Sequence, residues 1–275
     1  MAARTILISL IVAFMWRGIY AVESDTEVVL VPAVYYDVPG GFGSNWSSVL
    51  WVTNGLDRPL SIYLDVSGEA IECVSIPCGN ARYLAPGAST EMRPDARAWS
   101  YALPARLLYV RRGIATKVWF SLRVQDSSRA TTTWGTSIPV VRESDLIRGE
   151  TWFAPIPIAP GFRQSIRIYR FTERSCDDPR QFTVRLFDAA SGRTIRALTL
   201  PWIWANGSNC SSDIDWAFPW YTANHSLTAG IPAETLPATA GIEVIPPSDD
   251  VPYWAVVTVT SDVTQHVTVV LPDLE

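Results

Sequence analysis

VPGGFGSNWSSVLWVTN, residues Val38 to Asn54, is the stretch that decides the fold. The glycine-rich turn Gly40-Gly41-Phe42-Gly43 runs into a segment of strict alternation. Trp46, Ser48, Leu50, Val52 and Asn54 fall on one side of an extended strand, and Ser47, Val49, Trp51 and Thr53 on the other. Leu50 and Val52 are expected to face inward with Trp46. A degenerate copy of the pattern follows Pro160-Gly161-Phe162, where Gln164, Ile166, Ile168 and Arg170 keep the same spacing. A strand written twice predicts a β unit written twice.

Working outward, further matches keep the same order. Leu60, Ile62 and Leu64, expected to meet Leu50 and Val52 from a neighbouring strand, are matched by Phe182, Val184 and Leu186. Leu103-Pro104-Ala105 is matched by Leu236-Pro237-Ala238, Trp119–Val124 by Trp254–Val259, and Ile138-Pro139 by Leu271-Pro272. Val28–Val34, Ala105–Val110, Thr116–Val124, Thr131–Val141, Trp152–Ile158 and Thr264–Val270 also read as strands, and no long segment has helical periodicity. Twenty prolines and 16 glycines punctuate the short runs. The expectation is all-β: two tandem antiparallel β-sandwich domains, because a sheet with one apolar face needs a second sheet to cover it. The boundaries are 1–21 for a signal peptide, 22–142 for the first sandwich, 143–149 (RESDLIRG with Arg142) for a polar connector, and 150–275 for the second sandwich. The second carries an aromatic insertion at 201–221.

The length of 275 residues suits two domains of ordinary size. Hydrophobic residues at 48 % with 18 % charged describe a globular chain. The net charge of -5 lacks the basic footprint of a nucleic-acid binder. At the N-terminus Arg4 precedes the apolar run Ile6–Trp16, too short for a membrane span, and Ala21 offers a cleavage point. The chain is therefore expected to be exported to the periplasm, the cell surface or the medium, with no membrane span after cleavage. Its four cysteines are then read as disulfides, Cys73–Cys78 and Cys176–Cys210, one bridge in each unit.

From VLVPAV through PGGFGSNWSSVLWVTNGLDRPLSIYLDV to TTTWGTSIPVV, the first unit resembles an immunoglobulin-like β-sandwich module of large exported bacterial proteins. The second unit departs from the pattern at Arg170, which stands in the place of Asn54, and in most of the glycines. The resemblance implies a fold and an exported setting. It implies no activity.

Catalytic patterns are sparse. No GxSxG elbow is present. His225 reads as a loop residue and His266 as an exposed strand residue. A carboxylate pair for glycoside hydrolysis, about 5 to 10 Å apart, is sought among Asp213, Asp215, Asp249 and Asp250, but acids beside Pro and Ser commonly build turns. Asp213-Ile214-Asp215 also has the makings of half a calcium site. No cofactor is expected. Trp202, Trp204, Trp216, Trp220 and Tyr221 crowd into the insertion and offer large rigid aromatic area to a protein or glycan surface, unless they fold inward as a satellite core. The expectation is an exported non-catalytic structural, adhesion or scaffolding protein. The alternatives are a carbohydrate binder using those aromatics, a carboxylate-based hydrolase, and a periplasmic pilus-type chaperone.

Overall fold

A computed structural model describes residues 26–33, 35, 37–40, 43–65, 68–71, 81–92, 105–129, 135–170, 181–200, 202–203, 220–222 and 225–273. The proposed signal and all four cysteines lie outside the described residues. The first half contributes β1 (Thr26–Val31), β2 (Val38–Pro39), β3 (Asn45–Asn54), β4 (Leu60–Asp65), β5 (Gly68–Ile71), β6 (Ala81–Leu84), β7 (Ser89–Met92), β8 (Arg106–Arg111), β9 (Val118–Asp126), β10 (Thr136–Ile138) and β11 (Val141–Arg142). The second contributes β12 (Thr151–Pro157), β13 (Phe162–Arg170), β14 (Phe182–Asp188), β15 (Thr194–Leu200), β16 (Trp202–Ile203), β17 (Trp220–Thr222), β18 (His225–Ser226), β19 (Thr239–Ile245), β20 (Tyr253–Ser261), β21 (Val267–Val270) and β22 (Pro272–Asp273).

These strands form four sheets and an all-β, sandwich-like fold. In the first half the orders are β11-β1-β8-β5-β4-β6 and β10-β9-β3-β2, with β7 beside β3. In the second they are β22-β12-β19-β14-β15 and β21-β20-β13-β17-β16, with β18 beside β13. The orders correspond strand for strand: β11-β1-β8 with β22-β12-β19, β4-β6 with β14-β15, and β10-β9-β3 with β21-β20-β13. The first half adds β5. Since β4 and β8 run in opposite directions, as β14 and β19 do, a strand inserted between them is parallel to one of them. β5 pairs antiparallel with β4 and parallel with β8, a departure from the all-antiparallel expectation.

The central strand lies as its alternation predicts. Leu50 and Val52 are buried with Leu60 and Ile62 in a cluster that also takes Val29, Val31, Leu108, Val110 and Leu122, and half-buried Trp46 packs against it. In the second half Ile166 and Ile168 meet Phe182, Val184, Leu186, Ile242, Tyr253 and Val257. Each cluster fills the space between two sheets. Gly40 lets the turn close on Trp46, because a Cβ there would come within 2.4 Å of Nε1, and Gly43 takes a positive φ of 73°.

Thr131–Val141, read as one strand, is two pieces in the described part. β10 pairs with β9, the chain breaks at Pro139, and β11 pairs with β1 in the other sheet. β21 and β22 make the same change of sheet around Pro272. Proline cannot donate to a ladder, so it suits the gap between strands at Pro139 and the first position of β22 at Pro272. Residues 143–149, read as a polar connector, are tied down on both sides. Glu143 accepts a hydrogen bond from the Val28 N–H at 2.8 Å, and Ile147 is buried and exchanges backbone hydrogen bonds with Tyr253.

Candidate functional site

Alternation makes each sheet two-faced, and the faces turned away from the two cores carry the surface chemistry. Two of these outward faces meet. Leu30, Leu107 and Val141 of the β1 sheet, with Ala105 just before β8, pack with Tyr169, Trp254, Val256 and Val269 of the β13 sheet, with Ile138 and Leu146 alongside. The Tyr169 and Trp254 rings lie 5.7 Å apart. The Tyr169 hydroxyl donates to the Pro32 carbonyl, Arg167 Nη1 donates to the Tyr35 hydroxyl at 3.1 Å, and Thr136 Oγ1 donates to the Val267 carbonyl at 2.9 Å. Alternation alone misses this junction. Its sequence signal is the uninterrupted apolar runs VVLVPAV and YWAVV, the mark of strands covered on both faces.

The other two outward faces carry exposed tryptophans. On the β3 sheet, Trp51 is 39 % and Trp119 56 % exposed. Thr53 pairs with Trp119 and Trp51 with Ser121, so the indoles are diagonal neighbours on one face. Ser89 and Glu91 of β7 continue those two rows. Gly55 makes room for the Trp119 ring, since a Cβ there would lie 2.7 Å from Cη2. On the β12 sheet, Trp152 is 43 % exposed. Its strand neighbours are Glu243 on one side and Asp273 on the other. Phe187 meets the Trp152 ring edge-on at 5.4 Å, and Arg185 lies 6.0 Å from its centroid while pairing with Glu243 at 2.5 Å. Phe187 reaches Trp152 across Gly241, where a Cβ would collide with its ring. Burial, opposed by Arg185, holds the Glu243 carboxyl above its ordinary range.

The aromatic insertion is described only at its two arms. β16 pairs with β17, and β17 pairs with the end of β13 through Tyr169↔Tyr221 and Arg170↔Trp220. Trp202, Trp220 and Tyr221 therefore stand on strands that extend the β13 sheet. Trp204, Trp216, Asp213 and Asp215 lie outside the described residues, as do Cys73, Cys78, Cys176 and Cys210. Asp249 and Asp250 sit in an exposed turn, where Ser248 donates to Asp250. His225 is on the short strand β18 opposite Ile166, not in a loop, and exposed His266 precedes β21. The turn at Gln265, with φ 56°, ends the pattern that read as strand from Thr264. Among the described residues no group of three or more His, Cys, Asp and Glu side chains is placed to hold a metal, and no helix is long and apolar enough to cross a membrane.

No protein-family model and no curated protein matches the chain. Among solved structures it is similar to the infectious bursal disease virus VP2 subviral particle, at 11 % identity over 91 % of this chain and 72 % of that one. The TM-score is 0.25, too low for the likeness to carry an argument.

Proposed function

We propose that the chain is an exported, non-catalytic structural, adhesion or scaffolding protein. Its two immunoglobulin-like sandwich units are 22–142 and 150–275, joined through 143–149 and preceded by a signal at 1–21. The observation that carries this reading is the junction. Leu30, Leu107 and Val141 against Tyr169, Trp254 and Val256 fix one unit on the other, which suits a part that bears or transmits position. The contact surface is a protein or glycan surface, with no nucleic acid and no cofactor. Cross-linking on intact producing cells, followed by N-terminal sequencing of the recovered chain, tests the proposal. A start near Val22 and cross-links to envelope or surface components are expected. A chain that starts at Met1 in the cytoplasm overturns it.

A second reading, a carbohydrate binder using Trp202, Trp204, Trp216, Trp220 and Tyr221, draws support from the pairing of β17 with β13 and of β16 with β17, which sets both arms of the insertion on the edge of the β13 sheet. Single replacement of Trp204, Trp216 or Trp220 by Ala should then reduce retention on a polysaccharide panel. Loss of thermal stability with unchanged retention makes the cluster core.

A further inference from the structure

The junction is made by two unlike faces. The first half gives the outward face of its β1 sheet, and the second gives the outward face of its β13 sheet. Because the halves share a strand order, each also owns the face that the other used. Register fixes the equivalent positions. Thr53↔Trp119 and Trp51↔Ser121 in the first half correspond to Tyr169↔Trp254 and Arg167↔Val256 in the second. The Val141–Leu30–Leu107 row of the first half corresponds to the Asp273–Trp152–Glu243 row of the second. The two unused faces are thus the ones that display Trp51 with Trp119, and Trp152.

We infer that these faces are the two ends of one repeating contact, and that a second copy of this chain docks head to tail. The Trp51–Trp119 face of one copy meets the Trp152 face of the next, as the β13 sheet meets the β1 sheet inside the chain. This rests on the scaffolding reading and names the partner. Three observations favour a second copy over another occupant. The contact continues one that the chain already makes between equivalent strands. Both faces present indoles, the side chains most often central to protein interfaces. Their charges also differ in sign balance: Lys117, just before β9, and Arg123 flank Trp119 with Glu91 beside Trp51, whereas Glu150 and Asp273 flank Trp152, where buried Glu243 is already paired with Arg185. A contact between unlike faces does not close on a pair. It grows into a ring or an open helical filament.

The prediction is checked by sedimentation velocity of the mature chain over a concentration series into the millimolar range. The mass should rise with concentration past two chains. Trp119→Glu kills one end and Trp152→Glu the other, so each variant alone should stay a single chain. An equal mixture should give pairs and stop there, because one live end of each kind remains. Thermal melting of both variants checks that these exposed positions leave the fold intact; Trp51→Glu, on the first face, and Leu271→Glu, exposed two residues before the Asp273 that pairs with Trp152, serve as replacements if either variant melts early. A chain that stays single at every concentration overturns the inference, as does a variant that still assembles or a mixture that never pairs. A single chain retained on a neutral polysaccharide in a Trp51-dependent way would also overturn it, and would give these faces to sugar. None of those results touches export or the junction, so the scaffolding reading is judged separately.

Discussion

Trp119 and Trp254 hold the same place in the two halves, yet Trp119 is 56 % exposed and Trp254 only 5 %. Each is on the strand beside the central one, one row in from the Asn54 or Arg170 end of that strand, on the face turned away from its own core. The difference is not in the strand. It is in what covers it: the β1 sheet of the first half lies over Trp254, and the described first half presents Trp119 to solvent. A strand pattern therefore sets which face a side chain takes, and the neighbouring unit sets whether that face is dry.

The largest expected effect separates these two indoles. Trp254→Ala should cost about 3 to 5 kcal/mol, as for a buried aromatic whose space cannot fully collapse. Trp119→Ala should change stability by no more than about 0.5 kcal/mol in dilute protein. Urea denaturation of both variants gives the comparison, and a loss at Trp254 as small as that expected at Trp119 would mean that the junction is not a packed interface. Next come the matched core positions. Leu50→Ala and Ile166→Ala should each cost about 2 to 5 kcal/mol. If only one does, the halves do not share a core as they share a strand order.

Much of this is legible in the amino-acid sequence. The inward set on β3 and its copy on β13 follows from period-two alternation, because a one-residue slip would expose Leu50 and Val52 together. The change of sheet at Pro139 and Pro272 was present as a repeated apolar-Pro pair, though not its meaning. The strand β5 was hidden, since Gly68-Glu69-Ala70-Ile71 is too short to show alternation. The candidate faces were legible only in part. Trp202, Trp204, Trp216 and Trp220 stand out because they fall within one short stretch of sequence, whereas Trp51 and Trp119 become neighbours through cross-strand register. Sequence clustering and spatial clustering differ most in β proteins, where long-range pairing makes the surface.

Asn54 and Arg170 sharpen the comparison at a smaller scale. Both are buried at the end of the central strand. The Asn54 amide donates to the carbonyls of Arg58 and Leu84, each at 2.9 Å, and its oxygen accepts from the Leu56 N–H at 2.9 Å. Asn54→Ala leaves these buried groups without partners and should cost about 1 to 3 kcal/mol. Asn54→Arg, which imports the second half's residue, should be worse than Ala if the turn Asn54–Pro59 is what demands the amide. Thermal melting of the two variants decides it; equal melting temperatures would remove the turn from the explanation.

The smallest expected effect lies at the far ends of β9 and β20, where Asp126 stands in the place of Ser261. Burial pushes the Asp126 carboxyl up, but the Ser128 hydroxyl at 2.6 Å and the N–H groups of Asn45 at 2.9 Å and Ser128 at 3.1 Å outweigh it, with Arg129 nearby. The carboxyl is therefore held below its ordinary value of 3.8. A carboxyl depressed in the folded state binds its proton less readily there than in the unfolded chain. Its contribution is present above the ordinary value and is lost as pH falls through the folded one. Asp126→Asn keeps an acceptor for the same N–H groups but cannot titrate. The stability gap between wild type and Asp126→Asn should thus be open at about pH 6 and narrow steadily below about pH 4. Ser261→Ala, at the matching position, carries no charge and should show a gap that is flat over the same range. Urea midpoints measured at each pH give both curves. A gap for Asp126→Asn as flat as that for Ser261→Ala would show that the hydrogen bonds act through geometry alone, and that the two strand ends differ in shape rather than in charge.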